Sequence, residues 1–158
     1  LVLDVDGVLT DGRVYYGARG EQLQCFNIKD GHGLKMLAHA GVAIAIISGR
    51  RSTAVARRGR ELGIRSVIQG SRDKLRDFRT LAAQLGVTAA QCAFIGDDTP
   101  DVPLLRTVGL AFAVADAHPR AKAAAHQVTR LAGGCGAVRE VCDRLLAAHP
   151  GQPHGGGH

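Results

Sequence analysis

At 158 residues the chain falls in the size range of a single domain and is long enough to bury a proper core. Hydrophobic residues make up 46% and charged ones 22%, the balance of a soluble globular α/β protein, and no apolar run approaches the ~20 residues that cross a bilayer. The net charge of +6 argues weakly for nucleic acid, because aromatics are only 4%, Trp is absent and the arginines are dispersed apart from Arg57, Arg58 and Arg60; an anionic small substrate fits better.

The chain opens on LVLDVDGVLTDG, an apolar run without Met, so further residues are expected to precede it. No signal-peptide pattern is present, and a cytoplasmic location is expected. The first predicted strand, 1–5, ends in DVDG. Side chains alternate along a strand, so Asp4 and Asp6 start on one side where strand gives way to loop. Two like charges this close repel, and burial raises at least one pKa. A bound cation or a proton-transfer role would offset that cost, and a plain Asp-Gly turn is the competing reading.

Next comes RVYYGARGEQLQCFNI at 13–28, two β-like runs around a Gly-rich turn, which predicts a hairpin. Beyond it, strands are expected at 43–48, 66–69, 92–96 and 110–114, with helices near 32–40, 52–62, 73–85, 101–107, 119–124 and 136–148. Gly41, Gly63 and Gly86 stand at predicted helix ends, and Ser71 and Asp73 offer N-caps for the third helix. Strands alternating with helices predict an α/β fold, a doubly wound parallel sheet covered on both faces. Ligands of such sheets bind at the C-terminal strand ends, where the hairpin would stand as a small flap with no separate cap domain. One domain is expected over 1–148, and PGQPHGGGH within 149–158 reads as a disordered tail.

The other predicted strand ends are also polar. The second runs into Ser48, Gly49 and Arg50; Lys74 follows the third; GDDTPD after the fourth supplies Asp97, Asp98 and Asp101. Several carboxylates, a hydroxyl, a lysine and a Ser-Gly-Arg turn suit phosphoryl transfer. Mg²⁺ takes hard oxygen ligands, and phosphoryl oxygens want a hydroxyl, N–H groups and a cation.

DVDGVLTDG, IISGR, Lys74 and GDDTPD, in this order, resemble the four motifs of the haloacid dehalogenase-like phosphatases. FNIKDGHG at 26–33, QGSRDK at 69–74, VADAHP at 114–119 and TRLAGGCGAVREVC at 129–142 narrow the resemblance to the 3-deoxy-D-manno-octulosonate 8-phosphate (KDO 8-phosphate) phosphatases. It covers residues 1–146. The departure Thr99-Pro100 leaves the acidic positions untouched.

The resemblance implies a haloacid dehalogenase-type Rossmann-like fold and a Mg²⁺-dependent phosphomonoesterase of lipopolysaccharide precursor synthesis. Asp4 would be the nucleophile that forms an aspartyl-phosphate. Asp6 would trade protons while its main-chain carbonyl meets Mg²⁺, and Asp4 and Asp97 would supply the carboxylate ligands. Ser48 and Lys74 would hold the phosphoryl oxygens, with Asp98 and Asp101 behind them, orienting Lys74. Gly49, Arg50 and Asp30 are expected substrate contacts; Asp30 as a plain helix N-cap is the bland alternative. The resemblance also implies a homo-oligomer, a tetramer, with Tyr15, Tyr16 and Phe26 of the flap at subunit contacts. Residues 133–139, a glycine turn opening the last helix, would lie near a flap or sugar site.

Two same-class alternatives are a phosphatase for a nine-carbon sugar acid and the phosphatase-like module of sialate cytidylyltransferases. Arg50 favours the eight-carbon substrate, because relatives acting on nine-carbon acids tend to carry Glu there. A non-catalytic oligomerisation module is the alternative of a different class, and four intact motifs oppose it. Cys25, Cys92, Cys135 and Cys142 lack zinc spacing and are expected to be buried, reduced thiols. His32 is expected in a solvated loop, and Arg51 and Arg72 as surface charges.

Overall fold

The computed structural model describes residues 1–20 and 22–148; the predicted tail lies outside the described residues. In chain order the elements are β1 (Val2–Leu3), β2 (Tyr15–Tyr16), β3 (Gln22–Leu23), α1 (Ile28–His39), β4 (Ala45–Ser48), α2 (Thr53–Glu61) and β5 (Ser66–Gln69). There follow α3 (Lys74–Leu85), β6 (Ala93–Gly96), α4 (Val102–Leu105), β7 (Leu110–Ala113), α5 (Pro119–Ala124), β8 (Gln127–Val128) and α6 (Ala137–Ala148).

Six strands form one parallel sheet in the order β5-β4-β1-β6-β7-β8. The chain leaves β1 toward β4 and β5, then returns to build β6, β7 and β8 on the other side. Right-handed crossovers in opposite directions put their helices on opposite faces. The helix contacts follow: α1 packs on α6, while α3 meets α4 and α4 meets α5. Strands buried on both faces must be apolar throughout, which is why AIIS, AFIG and LAFA read as continuous runs. Ile46, Ile47, Phe94, Ile95, Ala111 and Phe112 are buried at the centre of the core.

The five predicted strands and the hairpin are present. The sixth strand, β8, was not legible, since two exposed residues carry no apolar pattern. Helix α1 begins four residues before the expected 32, because Asn27, not Asp30, caps it by accepting the Lys29 N–H. His32 is therefore an exposed helical residue rather than a loop one. Asp73 caps α3 as expected, and Ser71 instead donates to Asp77 at 2.6 Å. Gly41, Gly63 and Gly86 adopt φ of 88°, 72° and 66° at the three helix ends. All four cysteines are free, but only Cys142 is fully buried; Cys25 and Cys135 are exposed, against expectation. Burial pushes the Cys142 thiol up to about 12, so it packs as an inert apolar group.

Candidate active site

The connections leave β1 and β6 in opposite directions, and a crevice opens at the C-terminal ends of strands that flank such a point. Asp4 N–H donates to Ile95 O at 3.0 Å, carrying the β1–β6 ladder one residue past Leu3. Asp4 and Asp97 thus leave adjacent strands side by side. The chain after Asp6 is locked: the N–H groups of Val8, Leu9 and Thr10 converge on Val5 O, and the buried Thr10 hydroxyl accepts from Gly7 and Gly12. Gly7 has φ of 82°, and a Cβ there would overlap the Asp97 carboxylate. Glycine is what lets the two acidic loops meet.

Lys74, the first residue of α3, is buried and points its ammonium between two carboxylates, 2.9 Å from Asp4 Oδ1 and 2.6 Å from Asp101 Oδ1. The other oxygen of Asp101 accepts the N–H groups of Asp97 and Asp98 at 2.9 and 3.2 Å. Asp4, Asp97 and Asp101 each bring an oxygen within 4.8 Å of the others. Asp101 already accepts three donors, which hold it to Lys74 and the turn. Asp4 and Asp97 are the carboxylates left for a cation.

The electrostatics agree. Burial, then the charges of Asp4 and Asp101, push the Asp97 carboxyl up to about 8, with Lys74 opposing. Burial raises Asp4 to about 6 against the pull of Lys74. Burial lowers the Lys74 ammonium, but Asp4 and Asp101 outweigh it and hold it above the ordinary lysine value. Three carboxylates share one lysine, and a divalent cation would relieve the excess. Hard oxygens suit Mg²⁺. The Asp6 main-chain carbonyl accepts no hydrogen bond among the described residues and is available as a further oxygen.

A cleft of about 980 Å³ opens here, lined by Asp4, Asp6, Gly49, Arg50, Lys74, Asp97, Asp98 and Asp101 among others. Of the sequence-predicted residues, Asp4, Asp6, Gly49, Arg50, Lys74, Asp97, Asp98 and Asp101 line this cleft, whereas Ser48 and Asp30 do not. Asp98 caps the short turn Thr99–Asp101 through Thr99 N–H rather than touching Lys74. Asp30 is not in the cleft at all. It is buried where α1 meets α6, its Oδ1 accepting the Arg139 N–H at 2.8 Å. Ser48 is buried at the end of β4, where its hydroxyl accepts the Arg50 N–H and has no acceptor for its own proton among the described residues.

Ser71 and Arg72 also line the cleft just before Lys74, and Arg72 is exposed as expected. Sequence reasoning missed Gln22 and Gln24 of the hairpin, which reach Arg50 and Asp6. Their signal was the i, i+2 spacing on β3 and beyond it, which points both amides the same way. Residues 133–139 lie against the acidic loop and the hairpin's exit: Gly134 N–H donates to Val8 O, and Asn27 Nδ2 donates to Gly134 O.

The sequence model of the haloacid dehalogenase-like hydrolases matches residues 63–139. The 3-deoxy-D-manno-octulosonate 8-phosphate phosphatase of Yersinia pestis is 49% identical over 148 residues, 94% of this chain and 79% of that protein. The crystal structure of the Moraxella catarrhalis phosphatase of the same name, in complex with a magnesium ion, a phosphate ion and KDO, is 42% identical with a TM-score of 0.92, covering 94% of this chain and 85% of that one. The cobalt-bound Haemophilus influenzae phosphatase is 44% identical with a TM-score of 0.90, over 94% and 86% of the two chains. The chain belongs to the haloacid dehalogenase-like hydrolases and, among them, to the family of the 3-deoxy-D-manno-octulosonate 8-phosphate phosphatases.

Proposed function

We propose that the protein hydrolyses the phosphate monoester of KDO 8-phosphate with Mg²⁺. The observation that carries this is Lys74, bridging Asp4 and Asp101 beside Asp97 at the floor of an open cleft. The similarity to phosphatases named for that substrate supports the choice of sugar.

Asp4 attacks phosphorus, forming an acyl-phosphate bond as the bond from phosphorus to the sugar oxygen breaks. Asp6, entering as the acid, gives its proton to the departing sugar oxygen. Water then attacks the acyl phosphate, its proton passes to the Asp6 carboxylate, and phosphate leaves with the Asp4 carboxylate restored. The Ser48 hydroxyl and the Lys74 ammonium hold phosphoryl oxygens, and Asp101 keeps Lys74 aimed. Mg²⁺, held by Asp4, Asp97 and the Asp6 carbonyl, would neutralise charge between an anionic nucleophile and an anionic ester. Arg50 and Gly49 at the cleft wall bind the substrate's anionic groups. Catalysis of this kind is positioning and electrostatics around a loose transition state.

The enzyme is read as one domain over 1–148, working in the cytoplasm as a homotetramer. Among the described residues no helix is long and apolar enough to cross a membrane. A phosphate-release screen over sugar phosphates, with and without Mg²⁺, tests the reading. KDO 8-phosphate should be the best substrate and chelator should abolish turnover; preference for a nine-carbon acid phosphate, or no release from any ester, would overturn it.

A further inference from the structure

We propose that Gln24 is a positioning residue that fixes which oxygen of Asp6 carries the transferable proton, and that the hairpin delivers it. The proposal rests on the reading of Asp6 as the acid and base of the reaction.

The Gln24 amide bridges two elements that converge on the cleft. Its Nε2 donates to Asp6 Oδ1 at 2.8 Å, and its Oε1 accepts from the Ser52 hydroxyl at 2.6 Å. The orientation of the amide is set by its neighbours. Ser52 caps α2, so its oxygen already accepts the Val55 N–H and its proton goes to Gln24. Oxygen therefore faces Ser52, and nitrogen faces the carboxylate. Ser52 is itself anchored, its N–H donating to Gln69 Oε1 at 2.7 Å. Two residues earlier, Gln22 accepts from Arg50 Nη2 at 3.1 Å, and Arg50 Nη1 lies 3.5 Å from the same Asp6 Oδ1. The hairpin thus holds both cleft residues from one face.

With donors on Oδ1, the proton of neutral Asp6 is confined to Oδ2, which accepts nothing among the described residues. As that proton passes to the leaving oxygen, Asp6 becomes an anion and the Gln24 N–H bond becomes charge-assisted. The bond is thus stronger at the transition state than before it, which is the condition for acceleration. In the second half, the same donor holds the carboxylate while Oδ2 takes a proton from water.

The test is the dependence of kcat/KM on leaving-group basicity across substituted aryl phosphates, which lack the sugar. Protonation matters most for the most basic leaving group and least for p-nitrophenolate. Asp6→Asn should steepen the dependence, losing about 10²–10⁴-fold on phenyl phosphate. Gln24→Leu should steepen it in the same sense by about tenfold, with p-nitrophenyl phosphate nearly unchanged. Gln24→Lys, which returns a donor, should recover most of the loss. In an Asp6→Asn background, Gln24→Leu should add nothing. If Asp6→Asn leaves the dependence flat, the reading of Asp6 as the acid fails. If Asp6→Asn steepens it and Gln24→Leu does not, or Gln24→Leu lowers every ester equally, the role of Gln24 is overturned.

Discussion

Two aspartates two positions apart are tolerable at the end of a buried strand because each meets a different environment. Asp4 faces Lys74 and Asp97 in the buried floor, whereas Asp6 turns toward Gln24 and Arg50 at the cleft wall. Asp4→Asn keeps the shape but removes the attacking charge, so single-turnover phosphate release should fall by about a thousandfold or more. Retention of a tenth of the activity would exclude an aspartyl-phosphate. The raised carboxyls of Asp4 and Asp97 give a second expectation, whose sign follows from linkage. A carboxyl raised above its unfolded value stabilises the fold when protonated, and that stability is lost as pH rises from 3.8 through about 6 and about 8. Cation binding needs both groups ionised, so protons compete with Mg²⁺ and its affinity rises over the same window. The Mg²⁺-induced rise in melting temperature should therefore be small below pH 6 and largest above pH 8. A pH-independent increment, or one that survives Asp97→Ala, would place the cation elsewhere.

The elements explain why Asp30 does not line the cleft of Asp4 and Lys74. Its Oδ1 receives the Arg139 N–H in the first turn of α6, while Oδ2 is buried without a partner. A carboxylate at a helix N-terminus binds free N–H groups, so here α1 caps α6 across the fold. Asp30→Ala should cost about 1–2 kcal/mol in denaturant unfolding, the range of a lost cap, with kcat nearly unchanged. Asp30→Asn keeps the acceptor and removes a buried charge, so its stability should stay close to wild type. A large fall in kcat for Asp30→Asn without a change in stability would return the residue to the substrate. This case marks the limit of the sequence. Strand ends and the order of the acidic motifs were legible because a parallel sheet forces apolar runs to end together. Which side chain turns into the cleft was not, because DGHG looks the same whether Asp30 caps its own helix or another 109 residues away. The edge strand β8 escaped because its two exposed residues carry no apolar pattern, and the reach of Gln24 because its partner Asp6 lies in another loop.

At the scale of the molecule, the hairpin is too small to enclose a sugar acid, and it carries apolar surface that one chain does not cover. Tyr15, Tyr16 and Leu23 are 50%, 68% and 60% exposed, and Ile28 at the start of α1 is 83% exposed. Four large apolar side chains on one small flap and its exit are a surface that association would remove from water. Closed symmetry would repeat the same contact at each copy and give every cleft a wall from its neighbour. Assembly and sugar recognition should then fail together, while the chemistry at Asp4, which lies on the sheet, persists. Ile28→Asp and Tyr16→Asp place charge in the contact and spare Gln22 and Gln24. Light scattering should find wild type as a tetramer and these variants as smaller species. Their kcat/KM should fall far more with KDO 8-phosphate than with p-nitrophenyl phosphate. A wild type that is monomeric at micromolar concentration and fully active on the sugar phosphate would defeat the proposal, because a lone flap would then suffice.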